Sequence, residues 1–298
     1  EKGLALARGL GDRAVEAAAM QSLGSILSEQ GDSLAGMELT RGALAIFRGT
    51  GDRVREAETY NSLGDNYMRI GDYQTARELF RESLRLAREL GWTFTESVVL
   101  LNLAAVAHLS GDHVGAVADA RAAVKIAAAN NARDLEAAAH LPLGLAEMAL
   151  GHREEARTAL TRSRDLFMQN DGPHLALEPT AALGLLSLAE GNHAGALEAA
   201  NEIVDHLAQG RVLSGTEEPF RIRLSCYQVL NDLGDARAKS VLADTHAVLQ
   251  AQAARIVDDD LRHRFLNDVV HHRAIITAWQ NDFVDPARAS GLKIEDTK

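Results

Sequence analysis

The densest group of side chains able to hold a metal or move protons lies late in the 298-residue chain: Asp258, Asp259, Asp260, His263, His271 and His272. Carboxylates and imidazoles together are zinc-type ligands, so a metal-dependent enzyme is the first reading to weigh. The spacing speaks against it. Histidines eight and nine residues apart on one helix do not converge as an i, i+4 pair does, and no HExxH pattern occurs. Three aspartates opening a helical stretch serve more simply as an N-cap and as favourable charge at a helix start. The other reactive types are isolated. Cys226 falls where an apolar core residue is expected, which makes it an inert buried thiol. His113 and His193 follow turns, as Tyr73 does, and read as turn and packing residues. No catalytic residue, metal site or cofactor is expected.

The elements that must position these residues are announced by glycine. Gly11, Gly31, Gly51, Gly71, Gly91, Gly111, Gly151 and Gly191 keep a twenty-residue interval, with Asn131 on a missed beat and Gly172 one place late on another. The chain has 24 glycines in 298 residues, and chance would put about one of them on those ten marks. Asp12, Asp32, Asp52, Asp72 and Asp112 each follow one of these glycines. A glycine can end one helix in the left-handed conformation while the next aspartate caps the following helix. The predicted unit is one helix of about sixteen or seventeen residues plus a tight turn. Such a helix cannot bury its apolar stripe alone, so successive helices must stack.

Composition agrees. Hydrophobic residues make up 46% and charged residues 24%, which excludes wholesale disorder, and five prolines leave room for long helices. No alternating Val and Ile runs predict a strand. The net charge of -11, without a basic stripe, argues against direct binding to nucleic acid or to an anionic membrane. One cysteine leaves no internal disulfide framework and fits a cytoplasmic setting. No apolar run is long enough to cross a membrane as a helix.

Two positions recur at a forty-residue step. Leu23-Gly24, Leu63-Gly64, Leu103-Ala104, Leu143-Gly144 and Leu183-Gly184 form one series, and Gly36, Ala76, Ala116, Ala156 and Ala196 form the other. In the clearest copy, Asp52 to Gly91, the residues Tyr60, Leu63, Gly64, Tyr67, Gly71, Ala76 and Phe80 carry the spacing W-x2-L-G-x2-Y followed by G, A and F. Through these residues the chain resembles the tetratricopeptide repeat family in its forty-residue form. The resemblance implies an all-α, right-handed α-solenoid of antiparallel helix pairs. Gly64, Gly144 and Gly184 are expected at close helix contacts opposite Ala76, Ala156 and Ala196.

The expected organisation is the end of a truncated preceding repeat (1–10), five helix pairs (13–209), a degenerate sixth first helix (210–235), long terminal helices capping the stack (236–281) and a disordered tail (282–298). One terminal helix is expected from Asp258 to about Gln280, with Leu261, Phe265, Val269, His272 and Ile276 on one stripe. The segment around 251–275 also resembles the end of the repeat arrays in certain bacterial multidomain regulators. In those an ATPase module and an activator or nucleotide cyclase share the parent chain. No GxxxxGK[ST] motif lies here.

In this family the first helices of the pairs line a concave face. By position, the implied groove residues are Gln21, Ser25, Asn61, Asp65, Met68, Leu101, Ala105, His108, Leu141, Leu145, Met148, Leu185 and Leu188; Ser28, Ala181 and the nearby His140 lie close to them. The first two repeats thus present polar side chains and the next three apolar ones. Leu101, Leu141, Leu145 and Leu185 are expected to stay partly accessible to an amphipathic helix or extended peptide. The plainer alternative is that these leucines meet each other, or the terminal helix, inside a tightly curled superhelix. No basic fork for gripping a carboxylate falls on the groove positions. The expected function is non-enzymatic: a protein- or peptide-binding arm that senses or regulates within a larger signalling or transcription-regulatory protein. Its expected partners are the ligand and the parent's effector and ATPase domains. A stand-alone scaffold or peptide-pheromone receptor is the alternative, and a metal enzyme the remote one.

Overall fold

The computed structural model describes residues 2–29, 32–170, 172–213 and 215–284, and among them every regular element is helical. Nine helices lead from the N-terminus: α1 (Lys2–Leu10), α2 (Arg13–Glu29), α3 (Ser33–Thr50), α4 (Arg53–Arg69), α5 (Tyr73–Glu89), α6 (Thr93–Leu109), α7 (His113–Ala129), α8 (Arg133–Ala149) and α9 (Arg153–Gln169). Each packs antiparallel on its neighbours, which makes the described chain a helical solenoid.

The turns work as their residues dictate. Gly51 adopts φ 74°, its N–H donates to the Arg48 carbonyl, and the N–H of Asp52 reaches back to Phe47. The Asp52 carboxylate then accepts from the Arg55 N–H and starts α4. Asn131 takes φ 53° on its beat of the interval, the one non-glycine with positive φ among the described residues. Gly31 and Asp171 lie outside the described residues. Gly172 is not left-handed; it opens a turn in which its carbonyl accepts from the Leu175 N–H.

The small positions lie where helices approach, with one correction. Ala76, Ala116, Ala156 and Ala196 are fully buried, and the Ala156 and Ala196 carbonyls stand opposite Gly144 and Gly184, 3.2 and 3.8 Å from an added Cβ, but Gly64 meets Phe80 rather than Ala76. A Cβ on Gly64 would sit 2.6 Å from the Phe80 ring, and one on Gly144 2.5 Å from Leu160 Cγ. The side chain one turn beyond the alanine crosses the gap that the glycine leaves. Serines add polar pins: Ser83 donates to the Ala57 carbonyl (2.7 Å) and Ser163 to Ala137 (2.7 Å), both buried.

The last third departs from this pattern. It holds α10 (Leu177–Ala189), α11 (His193–Ala208), α12 (Pro219–Asp232), α13 (Ala238–Ala253), α14 (Asp259–Asn267) and α15 (Val270–Trp279), closed by a π-helical turn over Gln280–Val284. The single helix expected from Asp258 to about Gln280 is in fact two, broken at Asp268–Val269. The break sits on Gly71, where an added Cβ would come within 2.8 Å of the Asp268 backbone. The expected stripe is therefore split between two helices: Phe265, Val269 and His272 still share one face and Ile276 packs on the C-terminal core, but Ile275 is the fully buried residue of α15. Of the segment expected as a tail, residues 282–284 lie in the π-helical turn, where Tyr227 donates to Asp282 (3.0 Å), and 285–298 lie outside the described residues. No helix of the described chain is long and apolar enough to cross a membrane.

Candidate functional site

A cavity of about 390 Å³ opens on the inner side of the solenoid. Its floor comes from first helices, α4, α6 and α8, because the repeat turns the same face of each pair inward. Met68, Leu101, Ala105, His108, Leu141 and Leu145 all line it. The structure thus gathers six of the expected groove residues. Leu141 and Leu145 are only 6% exposed and also pack on Leu160 and Leu186, so they are core as much as surface. The others do not line the cavity. Asn61 accepts from Asn102 Nδ2 (3.0 Å) and Asp65 pairs with Arg69 (3.0 Å). Gln21 and Ser25 lie on α2, well before the cavity-lining helices. Met148 packs on the core under Leu141, while Leu185 and Leu188 join the C-terminal core.

The polar wall was not anticipated. Glu178 at the start of α10 and Arg221 in α12 are both buried and joined at 2.8 Å. Glu178 also accepts from the backbone N–H groups of Glu217 and Glu218. Arg221 Nε donates to Glu218 Oε2 at 2.7 Å, and His271 Nε2 stands 3.3 Å from Glu218 Oε1, in ion-pair range but off hydrogen-bond alignment. Burial raises Glu178 against the pull of Arg221. Burial works the same way on Glu218, but His271 and Arg221 outweigh it and hold that carboxyl well below the usual range. Desolvation, reinforced by Asp65 and Glu178, pushes Glu217 up to about 7. A repeat signal could have found this wall: Glu178-Pro179 and Glu218-Pro219 are forty residues apart.

The terminal helices form the roof. Phe265, Val269, His271 and His272 face the cavity. His272 donates Nδ1–H to the Phe265 carbonyl (2.6 Å) and meets the Phe220 ring edge-on, with centroids 4.7 Å apart. Burial brings His272 and His108 down to about 4 each, so both are neutral at neutral pH. The acid–histidine group of the C-terminal segment is dispersed by its partners. Asp258 caps α14 through the Leu261 N–H, Asp259 pairs with Arg262, and His263 meets Asn267. Among the described residues no three acidic, His or Cys side chains gather as a metal site. Cys226 is buried, its thiol pushed up to about 12 by desolvation. His113 packs against His108, and His140 lies off the cavity near Glu136. The arrangement can hold a ligand by apolar contact and charge.

Residues 16–89 match the family model for the tetratricopeptide repeat. No curated protein matches the chain. Several solved structures share the fold. A Rap protein complexed with Competence and Sporulation Factor superposes with TM-score 0.61 at 15% identity, over 89% of this chain and 75% of that one. Aspartyl phosphate phosphatase F from Bacillus subtilis gives 0.60 at 14%, over 90% and 70%. A Signal Transduction ATPase with Numerous Domains from Pyrococcus horikoshii, which has a tetratricopeptide repeat sensor, gives 0.59 at 18%, over 85% of this chain and 39% of that one. At such identities the likeness is one of fold. The tetratricopeptide-repeat match covers residues 16–89, and the described chain as a whole shares the helical solenoid fold of these structures.

Proposed function

We propose that the chain is a non-enzymatic binding arm that takes a short peptide or protein segment in its inner cavity and acts within a larger signalling protein. The observation that carries this reading is the cavity itself: an apolar floor of Met68, Leu101, Leu141 and Leu145 faces a polar wall at Glu217 and Glu218. Apolar pockets with a few placed polar groups are the usual form of a ligand site. Binding would report to an attached effector only by favouring one curvature of the solenoid over another, which requires different affinity for the two. The fold likeness to a sensor-bearing signalling ATPase supports the regulatory role. Transcription regulation and a cytoplasmic setting belong to the same reading.

The test is selection of binders from a random peptide library on the full chain, followed by Met68→Gln with Leu101→Gln. Both side chains are half-buried on the cavity floor. Selected peptides should lose at least tenfold in affinity while helicity is retained. Unchanged affinity would move the ligand elsewhere, first to the polar face around Gln21 and Asn61.

A further inference from the structure

The segment over the cavity has a composition opposite to the walls it spans. From Leu261 to Arg273 it reads LRHRFLNDVVHHR, three arginines against one aspartate, with three histidines of which His272 is neutral. The walls supply the carboxylates of Asp134, Glu178, Glu217 and Glu218 against the guanidiniums of Arg69 and Arg221. The segment touches both sides of the opening. On one side Arg264 pairs with Asp72 at 3.2 Å, and the Asp268 backbone rests on Gly71. On the other side His271 approaches Glu218, and Phe265 meets Phe220 edge-on with centroids 6.5 Å apart.

This strap is anchored more heavily at its α15 end, although Ile256 just before it is also buried. Beyond it Ile275 is fully buried, Trp279 stacks between His246 (4.3 Å) and Phe283 (4.1 Å), and Asp282 accepts from Tyr227. The α14 part buries no residue at all. Elements with few buried contacts open at low free-energy cost, independently of the rest of a domain.

We propose that the cavity is built for a short segment carrying basic side chains around an apolar pair, and that residues 261–273 roof it as an internal stand-in which such a partner must displace. The proposal rests on the reading of the cavity as a peptide site and names the ligand chemistry and the regulation of that site. Opposite charge across a groove sets which partner is accepted. A tethered competitor acts at high effective concentration and scales the apparent affinity of a partner in trans down to the fraction of time it is unseated.

The probe is a fluorescein-labelled synthetic peptide of residues 261–273, added to the full chain and to the variant Arg264→Glu with Phe265→Ser. The variant should bind the probe at least tenfold more tightly than the original chain, and hydrogen exchange over 259–273 should accelerate. A probe with its three arginines replaced by glutamate should bind neither protein. Faster exchange without tighter binding would show that the opened cavity rejects a basic segment. Unchanged exchange would show that these contacts do not hold the strap. Equal binding of the charge-reversed probe would remove the charge argument. Each of these results overturns the proposal. If the double variant loses helicity, Phe265→Ala is used in its place with the same expected directions. Library selection separates this proposal from the reading beneath it. Acidic cavity binders would keep the peptide site and overturn the basic ligand. No cavity binder even in the strap-loosened variant would overturn both.

Discussion

Helices α4 to α9 and the region from α10 to the π-helical turn use the same kinds of residue to different ends. In the first, contacts are made between neighbours in the chain: Ser83 with Ala57, Arg53 with Glu89, Arg162 with Glu136. In the second, Arg264 reaches Asp72 across 192 residues, and Tyr227 reaches Asp282 across 55. The regular part builds a curved wall, and the irregular part returns along the chain to put charge and aromatic rings inside the curve. A solenoid whose neighbours touch only neighbours acquires an enclosed site only when some segment abandons the repeat.

Ion pairs test this contrast most sharply. Arg221 and Glu178 are both buried, whereas Arg85 and Glu82, which pair at 2.9 Å, have side chains 46% and 48% exposed. Arg221→Ala should cost about 3–5 kcal/mol, because it strands buried carboxylates. Arg85→Ala should cost about 1 kcal/mol or less. Denaturant unfolding of both variants checks this, and equal losses would erase the distinction between the regions.

Acid should weaken the C-terminal region selectively. Burial holds His272 at about 4 in the folded chain against 6.5 for a free imidazole, with the Phe265 carbonyl and Glu218 pulling it up and His271 adding to the depression. Between those values the unfolded chain binds more protons, so its stability is full above pH 6.5 and declines as pH falls toward 4. The loss from His272 is on the order of 3 kcal/mol, and His108, also near 4, adds to it. Glu217, raised to about 7, and Glu178, also raised by burial, oppose this loss over the same range, so the His272 contribution is read as the difference in melting between the chain and His272→Asn from pH 7 to pH 4.5. Identical profiles for the two proteins would mean that this imidazole is not sealed from water.

Close packing separates the two regions again. A Cβ on Gly144 would sit 2.5 Å from Leu160 Cγ, but one on Gly184 would sit 3.1 Å from Ala199 Cβ. Gly144→Ala should therefore cost about 1–3 kcal/mol from overpacking, and Gly184→Ala less, with the gain in helix propensity set against it. The reverse order of melting midpoints would deny that the repeats are the tighter part. The smallest effect concerns capping. Asp52→Ala removes the cap of a helix clamped on both sides and should lower global stability by about 1 kcal/mol. Asp258→Ala removes the cap of α14, which buries nothing, and should leave the global midpoint unchanged while exchange over 259–267 accelerates.

Much of the fold was legible because its signals are local. Gly51, Asp52 and Asn131 specify a turn through their own backbone and side-chain geometry, and no distant residue alters what they do. The cavity floor was half legible. Met68, Leu101, Ala105 and His108 follow from which face of each first helix points inward, but position could not show that Leu141 and Leu145 would be covered. The Glu178–Arg221–Glu218 wall carried a forty-residue Glu-Pro echo that small-residue and glycine spacing does not register.

The sequence by itself determined the helix pairs, their ends and the inward face, since each depends on residues within one turn or one pair. Only the tertiary structure decided that α14 would break at Asp268, that Gly71 would seat the break, and that a basic segment would close an acidic cavity. Those outcomes depend on curvature, which accumulates from small rotations at every pair. No single repeat encodes how far α14 must travel to meet α5.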